Sequence, residues 1–451
     1  MHPSVEKYAE HVNPAFVKLL GTFGYGRVFV KAKGTRLVDN EGREYLDFLA
    51  GFGATSLGHN PPRLLEKMRE MLSDDAPNVM HVGPQVHAAE LAEALARRTA
   101  PLTMALFSCS GGEAVESALK VARAATGRQS IVYCRGGWHG TGMGSLSIMG
   151  WGRMRDPFEP LVPACYEIPY GDLPALEKEL GQGRVAAFVV EPLQAEAGVI
   201  VPDQGYLAGA RDLCKKHGAL LVLDEVQTGL GRTGTLFAYQ GASITPDVLV
   251  LGKALGGGMV PISAAMTTRE IFTRAYGTVD KFDLHGSTYS GNAFACRTAL
   301  ETLRIIDDEG LVGNAVARGS QLMTRLRNSL GRHPLVRDVR GQGLLVGLEL
   351  GATDKGLLNR LLPGMVDAVS KRVFGQWLAV RLLERGVLCQ PASQQWNVLK
   401  LEPPLTVTAE EIERVAVAIE ELLADYTDVA RVLRDAGERL GTQLIGKWSF
   451  R

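Results

Sequence analysis

The stretch that most constrains this chain runs from Ala219 to Gly258, opening with ALLVLDEVQTG and closing with TPDVLVLGKALGGG. Ala219–Leu223 and Val248–Leu251 are short, continuous apolar runs, the pattern of strands buried on both faces of a parallel sheet. Each leads into a charge that a dry interior rejects unless it is partnered: Asp224 after the first run, Lys253 after the second. Open α/β sheets bind ligands beyond the carboxyl ends of their strands, and both charges fall there. Taken singly, a strand-end Asp reads as a cap and a Lys as a solvated charge. The pair, followed by Gly256-Gly257-Gly258, points to a site, because glycines let the backbone approach something bulky.

A lysine able to form a Schiff base and a carboxylate able to hold a pyridine nitrogen protonated are what a protein supplies to pyridoxal 5'-phosphate, PLP. The expectation is that Lys253 carries PLP and Asp224 pairs with its ring nitrogen. Other predicted strands end in matching fashion. Ala105–Ser108 leads into Ser110-Gly111-Gly112 at the start of a helix, where free N–H groups and the dipole suit a phosphate, or simply form a cap. Ser130–Cys134 leads into RGGWHGTG, where Trp138 offers a flat face next to His139, or packs as a core aromatic. Arg184–Val190 leads into EPLQAEAGV, with Glu191 and Glu196 as site acids or loop charges.

LVLDEVQTGLGRTG followed by PDVLVLGKALGGGMVPISA resembles the class III (ω-) aminotransferases of PLP fold type I, and within them the putrescine and diamine aminotransferases; the motifs run from roughly Gly34 to Thr408. The resemblance implies an α/β fold: a large domain with a mostly parallel seven-stranded sheet between helices, and a smaller α+β domain from the N- and C-terminal segments. The expected division is 1–75, 76–325 and 326–451. It implies that Ser110, Gly111 and Gly112 hold the phosphate and that Trp138 stacks on the ring, with His139 and Glu191 beside it. Gln227 meets the phenolic oxygen. Thr288 reaches the phosphate of the neighbouring subunit, making a homodimer the active unit; the alternative for Thr288 is a cap before Asn292. Phe52, in the glycine-dense FLAGFGATSLGHNPP, lines the substrate pocket or packs in the core, and Glu196 stands at the pocket mouth. Thr141 replaces the Arg with which ornithine aminotransferases bind a substrate carboxylate, which favours a simple amine. Lys400 stands where ornithine and diamine members carry Arg. It keeps the charge without the fork, and is expected to grip the carboxylate of a 2-oxo acid and to pair with Glu196 when the site is empty.

The implied activity is transfer of an amino group between a primary amine (a diamine or ω-amino compound, or the matching aldehyde) and a 2-oxo acid, in two half-reactions. PLP-dependent aminomutases and decarboxylases share the same core and remain alternatives. Gly229, Gly231 and Gly234 also spell GxGxxG, the mark of an NAD-dependent oxidoreductase. That reading is discounted, because Glu225-Val226-Gln227-Thr228 separates the motif from its strand and no clear amphipathic helix follows.

Composition narrows the partners. The formal net charge is zero and no basic stripe carries interleaved aromatics, so nucleic acid is not expected. Six scattered cysteines without CxxC read as reduced thiols of a cytoplasmic protein, not as a disulfide or metal framework. The first residues lack an apolar signal core, and no run is apolar enough to span a bilayer. Further expectations are a helix and loop over Met1–Phe29, a hairpin over Lys33–Asp47, a helix over Val366–Arg385 interrupted by Gly375, and a capping box at Thr408. The role of the terminal KWSFR is left open.

Overall fold

The protein, described as a computed structural model, is placed over residues 2–22, 24–351 and 363–445. The expected helix and loop at the N-terminus is two helices, Pro3–His11 and Pro14–Thr22. Asn13 divides them, its Oδ1 accepting from Phe16 N at 2.9 Å. The expected hairpin is a three-stranded meander: β1 (Phe29–Lys33), β2 (Arg36–Asp39) and β3 (Glu44–Asp47). β2 and β3 close around the predicted turn, while β1 folds back through the tight Gly34-Thr35 turn, with Gly34 left-handed at φ 56°.

The large sheet contains β4 (Met104–Ser108), β5 (Ser130–Cys134), β6 (Cys165–Ile168), β7 (Val185–Val190), β8 (Leu220–Asp224), β9 (Val248–Leu251) and β10 (Ser263–Thr267). Their order is β4-β10-β9-β8-β7-β5-β6, as expected for a mostly parallel seven-stranded sheet. β9, β8, β7, β5 and β6 are parallel, and β10 runs antiparallel to both β9 and β4. Alternation along the strands feeds two cores. Phe188, Val190, Leu221 and Leu223 face one; Ala187, Val189, Val222 and Val250 face the other, beneath Val115, Ala118, Leu119 and Ala122 of the helix Gly111–Thr126. Each fully buried Val, Leu or Phe contributes roughly 1.5–3 kcal/mol, so the parallel runs anchor the domain.

A second sheet is made of β11 (Val336–Gln342), β12 (Leu345–Leu350), β14 (Gln390–Pro391) and β15 (Val398–Leu401), all antiparallel. β13 (Val387–Leu388) leaves it to pair in parallel with β3, so the N- and C-terminal segments share one sheet. The Thr408 capping box forms: Thr408 Oγ1 accepts from Glu411 N, and Glu411 Oε2 accepts from Thr408 N. No helix among the described residues is long and apolar enough to cross a membrane. The KWSFR tail lies outside the described residues.

Gly375 does not interrupt its helix, which runs unbroken from Pro363 to Glu384. A Cβ there would sit 2.2 Å from the Trp396 carbonyl oxygen, so the glycine serves close packing on the chain leading to β15. Gly375→Ala should therefore lower stability by about 1–3 kcal/mol despite alanine's better helix propensity. A melting temperature equal to or above that of the parent protein would contradict this.

Candidate active site

Because β4 points the same way as the parallel strands, the carboxyl ends of β4, β5, β7, β8 and β9 share one edge of the sheet, and Ser110, Trp138, His139, Glu191, Asp224 and Lys253 follow them there. Asp224 ends β8, nearly fully buried. Its Oδ2 lies 2.8 Å from His139 Nδ1, and its Oδ1 accepts from Val226 N at 3.0 Å. Burial alone would discharge His139. The hydrogen bond and charge of Asp224, with Glu191 behind it, outweigh that and raise its pKa. The far nitrogen, His139 Nε2, is buried without a hydrogen-bond partner. Glu191, after β7, accepts from Trp138 N at 2.8 Å; burial lifts its carboxyl to about 7.

Lys253 follows β9 in a left-handed conformation, φ 42°, a strained placement for a non-glycine residue and of the kind found at functional sites. Its Nζ donates to Gln227 Oε1 at 2.5 Å. Burial lowers its pKa, with Lys400 adding to the fall and Glu402, Glu196 and Asp224 opposing it. The glycines after it pack against protein: a Cβ on Gly257 would meet Leu64 and Thr302, and one on Gly258 would meet Thr55.

Ser110 caps the helix Gly111–Thr126 by accepting from Glu113 N, leaving the first-turn amides of Gly111 and Gly112 pointing outward. The cradle is built of backbone in close contact. A Cβ on Gly111 would lie 2.7 Å from Val226 Cγ1, and one on Gly140 would lie 2.7 Å from Gly112 Cα. The glycine-lined helix terminus, the orphaned His139 nitrogen, the Asp224 carboxylate and the Lys253 amine fit PLP: amides for phosphate, carboxylate for ring nitrogen, amine for the aldehyde. Trp138 is half-buried beside this cradle, with its ring centroid 6.2 Å from that of Trp151.

Glu196 and Lys400 meet as expected, in a direct ion pair, and Lys400 is fully buried. Glu196 also accepts from Gln227 Nε2 at 3.3 Å and from Ser393 N at 3.2 Å. Burial opposes its charge, yet Lys400 and Lys253, with the bonds from Lys400 and Ser393, bring its carboxyl down to about 2. Phe52 is not a core residue. It is 38% exposed and its ring lies 5.0 Å from Lys400 Nζ. Thr141 is exposed beyond the Trp138 loop. Thr288 is exposed as well, apart from this cluster, on the loop between Gly277 and Gly291, and Asn292 caps the following helix instead. The GxGxxG glycines lie in turns around Arg232, with no nucleotide-binding helix after them.

Sequence reasoning missed Glu402. It is fully buried, accepts from Gln227 Nε2 at 3.0 Å and sits 3.2 Å from Lys400 Nζ. The signal was present: Lys400 and Glu402 are two apart in LKLEP, and period-two alternation puts both on one face.

Three comparisons point to one family. The family model Aminotransferase class-III matches residues 24–423. The aminotransferase PigE of Serratia sp. is 36% identical over 450 residues, covering 92% of this chain. The chain spans about half of that relative, 52% of its length. Among solved structures, ornithine aminotransferase from Toxoplasma gondii, whose crystals show partial occupancy of PLP, superposes with a TM-score of 0.80 at 33% identity, covering 91% of each chain. A PLP-bound amine transaminase from an uncultivated Pseudomonas species gives 0.78 at 29% identity, covering 88% of this chain and 95% of its own.

Gly140, at φ 110°, tests the cradle. Gly140→Ala should push the Trp138–Gly140 turn off Gly112 and weaken PLP binding roughly fivefold or more, a cost of about 1–3 kcal/mol. Spectrophotometric titration of the cofactor-stripped protein measures this, and unchanged affinity would show that the contact is dispensable.

Proposed function

The chain belongs to the class III aminotransferases, and on that premise we propose that it moves an amino group between a primary amine, foremost a diamine or ω-amino compound or its matching aldehyde, and a 2-oxo acid. The observation that carries the reading is the meeting of Lys253, Gln227, Asp224 and His139 at one sheet edge, next to the Glu196–Lys400 pair. PLP, when bound, supplies an electron sink that makes the hydrogen on the amine-bearing carbon removable. Lys253 would hold the cofactor, and its Nζ, which burial helps to keep neutral, would take up that proton and pass it on. Asp224 keeps the ring nitrogen protonated, and His139 fixes Asp224. Ser110, Gly111 and Gly112 would hold the phosphate, and Trp138 and Glu191 would border the ring.

Lys400 receives the carboxylate of the oxo acid. With an amine that has no carboxylate, Glu196 stays on Lys400 and closes the charge, while Phe52 forms the apolar wall above it. The absence of an arginine at Thr141 supports a donor without an α-carboxylate. Thr288 serves the neighbouring copy of a homodimer. Support comes from the exposed Val279, Phe282, Leu284 and Tyr289 on the same loop, an apolar surface that a second copy would cover. The six free cysteines suit a reducing cytoplasm. The segments 1–75, 76–325 and 326–451 act as the site-bordering N-terminal segment, the cofactor-binding domain and the small domain.

Incubation with PLP, a panel of amines and pyruvate or 2-oxoglutarate should yield the corresponding amino acid. Carbon dioxide release without amino transfer, or dependence on NAD, would overturn the reading. Lys253→Ala should abolish turnover, and borohydride should fix the cofactor to Lys253 in the parent protein only. Lys400→Ala should raise KM for the oxo acid roughly tenfold or more, the worth of a buried charge-assisted contact. An unchanged oxo-acid KM would reject the role of Lys400.

A further inference from the structure

Lys253 and Lys400 are two amines held in one water-poor pocket, and Glu402 is linked to both. Its Oε2 is 3.2 Å from Lys400 Nζ. Through Gln227 it also reaches Lys253: Gln227 Nε2 donates to Glu402 at 3.0 Å, and Gln227 Oε1 accepts from Lys253 Nζ at 2.5 Å. The carboxylate has no freedom to turn away. It is fully buried, a Cβ on Gly53 would lie 2.5 Å from its Oε1, and Arg232 Nε lies 4.0 Å from the same oxygen.

We propose that Glu402 is a positioning residue for Lys253: it fixes the Gln227 amide with its carbonyl toward the amine, and it supplies a negative charge beside two buried amines. The sense of the amide follows from the inventory of donors. Both neighbours on the Gln227 nitrogen side, Glu402 and Glu196, are carboxylates that accept only, so the NH2 end must face them and the oxygen must face Lys253. An amide free to flip would turn its NH2 toward the amine and its oxygen toward two carboxylates. Glu196 cannot hold the amide alone, because on the proposed reading it is the partner that leaves Lys400 when an oxo acid enters. Glu402 is the carboxylate that stays.

The charged groups facing Lys253 are Glu402 and Glu196 beyond Gln227, Lys400 behind those two, and Asp224 and Glu191 at the ends of β8 and β7. Glu402 heads the groups that favour the ammonium form, and Lys400 opposes it. Removing the Glu402 charge must therefore make the Lys253 nitrogen release its proton at lower pH. A merely structural role would lower activity or stability without moving that midpoint in a fixed direction.

The proposal rests on Lys253 being the cofactor-linked amine, and the test separates the two. In the holoenzyme, Glu402→Gln should lower the pH midpoint of the change in visible absorbance by about half to one pH unit. In the cofactor-stripped protein, the pH midpoint for acylation of Lys253 by acetic anhydride, read by peptide mass spectrometry, should fall by a similar amount. Gln227→Leu cuts the same chain in the middle and should shift both midpoints the same way, which keeps the test open if Glu402→Gln does not fold. Midpoints that stay in place or rise in the folded variant overturn the proposal, as does failure of both variants to fold, which would make the row a structural brace. If borohydride fixes the cofactor elsewhere than Lys253, the reading of the site falls with it. If Lys253 is labelled and its midpoint is unmoved, only the role of Glu402 falls.

Discussion

The site depends on cancelling charge where water is excluded. Arg232, Glu402, Lys400 and Glu196 are all buried, and they stand as an alternating row: Arg232 4.0 Å from Glu402, Glu402 3.2 Å from Lys400, and Lys400 in direct contact with Glu196. Breaking such a row by removing one member typically costs 3–5 kcal/mol, because a buried charge is left without a partner. The members come from distant parts of the chain: Glu196 follows β7, Arg232 follows β8, and Lys400 and Glu402 belong to β15 and its exit. Arg232 adds neutral anchors, donating to the carbonyls of Leu344 and Pro403 and to Ser56 Oγ. The row joins the large, mostly parallel sheet to the small antiparallel sheet, so the candidate site and the packing of the two sheets share the same contacts.

Backbone conformation supplies the space that the charges need. Ala50, Gly51, Phe52 and Gly53 are four consecutive left-handed residues, with φ of 47°, 58°, 59° and 84°. Two of them are not glycine, so the turn carries strain that other contacts must offset. Asp47 does so: its Oδ1 accepts from Leu49 N and Ala50 N, and its Oδ2 meets His59 Nε2 at 2.8 Å. The turn aims Phe52 at Lys400 and brings Gly53 down onto Glu402, where any side chain would collide.

How much of this could be read from the sequence follows from the range of the interactions. β8 and β9 were legible because a strand buried on both faces must be apolar throughout, and the charges at their ends broke that rule. The helix Gly111–Thr126 and the Thr408 capping box were legible because their signals span four to seven residues. β6 and β10 were not. Cys165–Ile168 carries Glu167 and lies partly exposed at the sheet edge, Ser263–Thr267 is built mostly of small residues, and both gain strand character from neighbours already in the sheet. Gly375 was misread as a break because a glycine in a helical pattern shows only its low propensity. The carbonyl of Trp396 that demands it lies 21 residues further along the chain. Lys400 stood out as a departure, but its second carboxylate partner, two residues away on the same face, passed as an ordinary strand-exit charge.

On the proposed reading, the lysine at position 400 solves a problem that one pocket sets for both half-reactions. An arginine carries a fork wide enough to define its own geometry; an ammonium is a point charge whose direction must come from outside. Glu402 gives it that direction and half of its neutralisation, and Arg232 balances Glu402 in turn. With Glu196 in place the row sums to zero, and an amine without a carboxylate meets an uncharged wall. With Glu196 withdrawn the row carries one uncompensated positive charge, which only an entering anion removes. The charge that admits the acid is thus created by the same movement that clears its path, and the carboxylate that stays behind keeps the ammonium from following Glu196 out of the pocket.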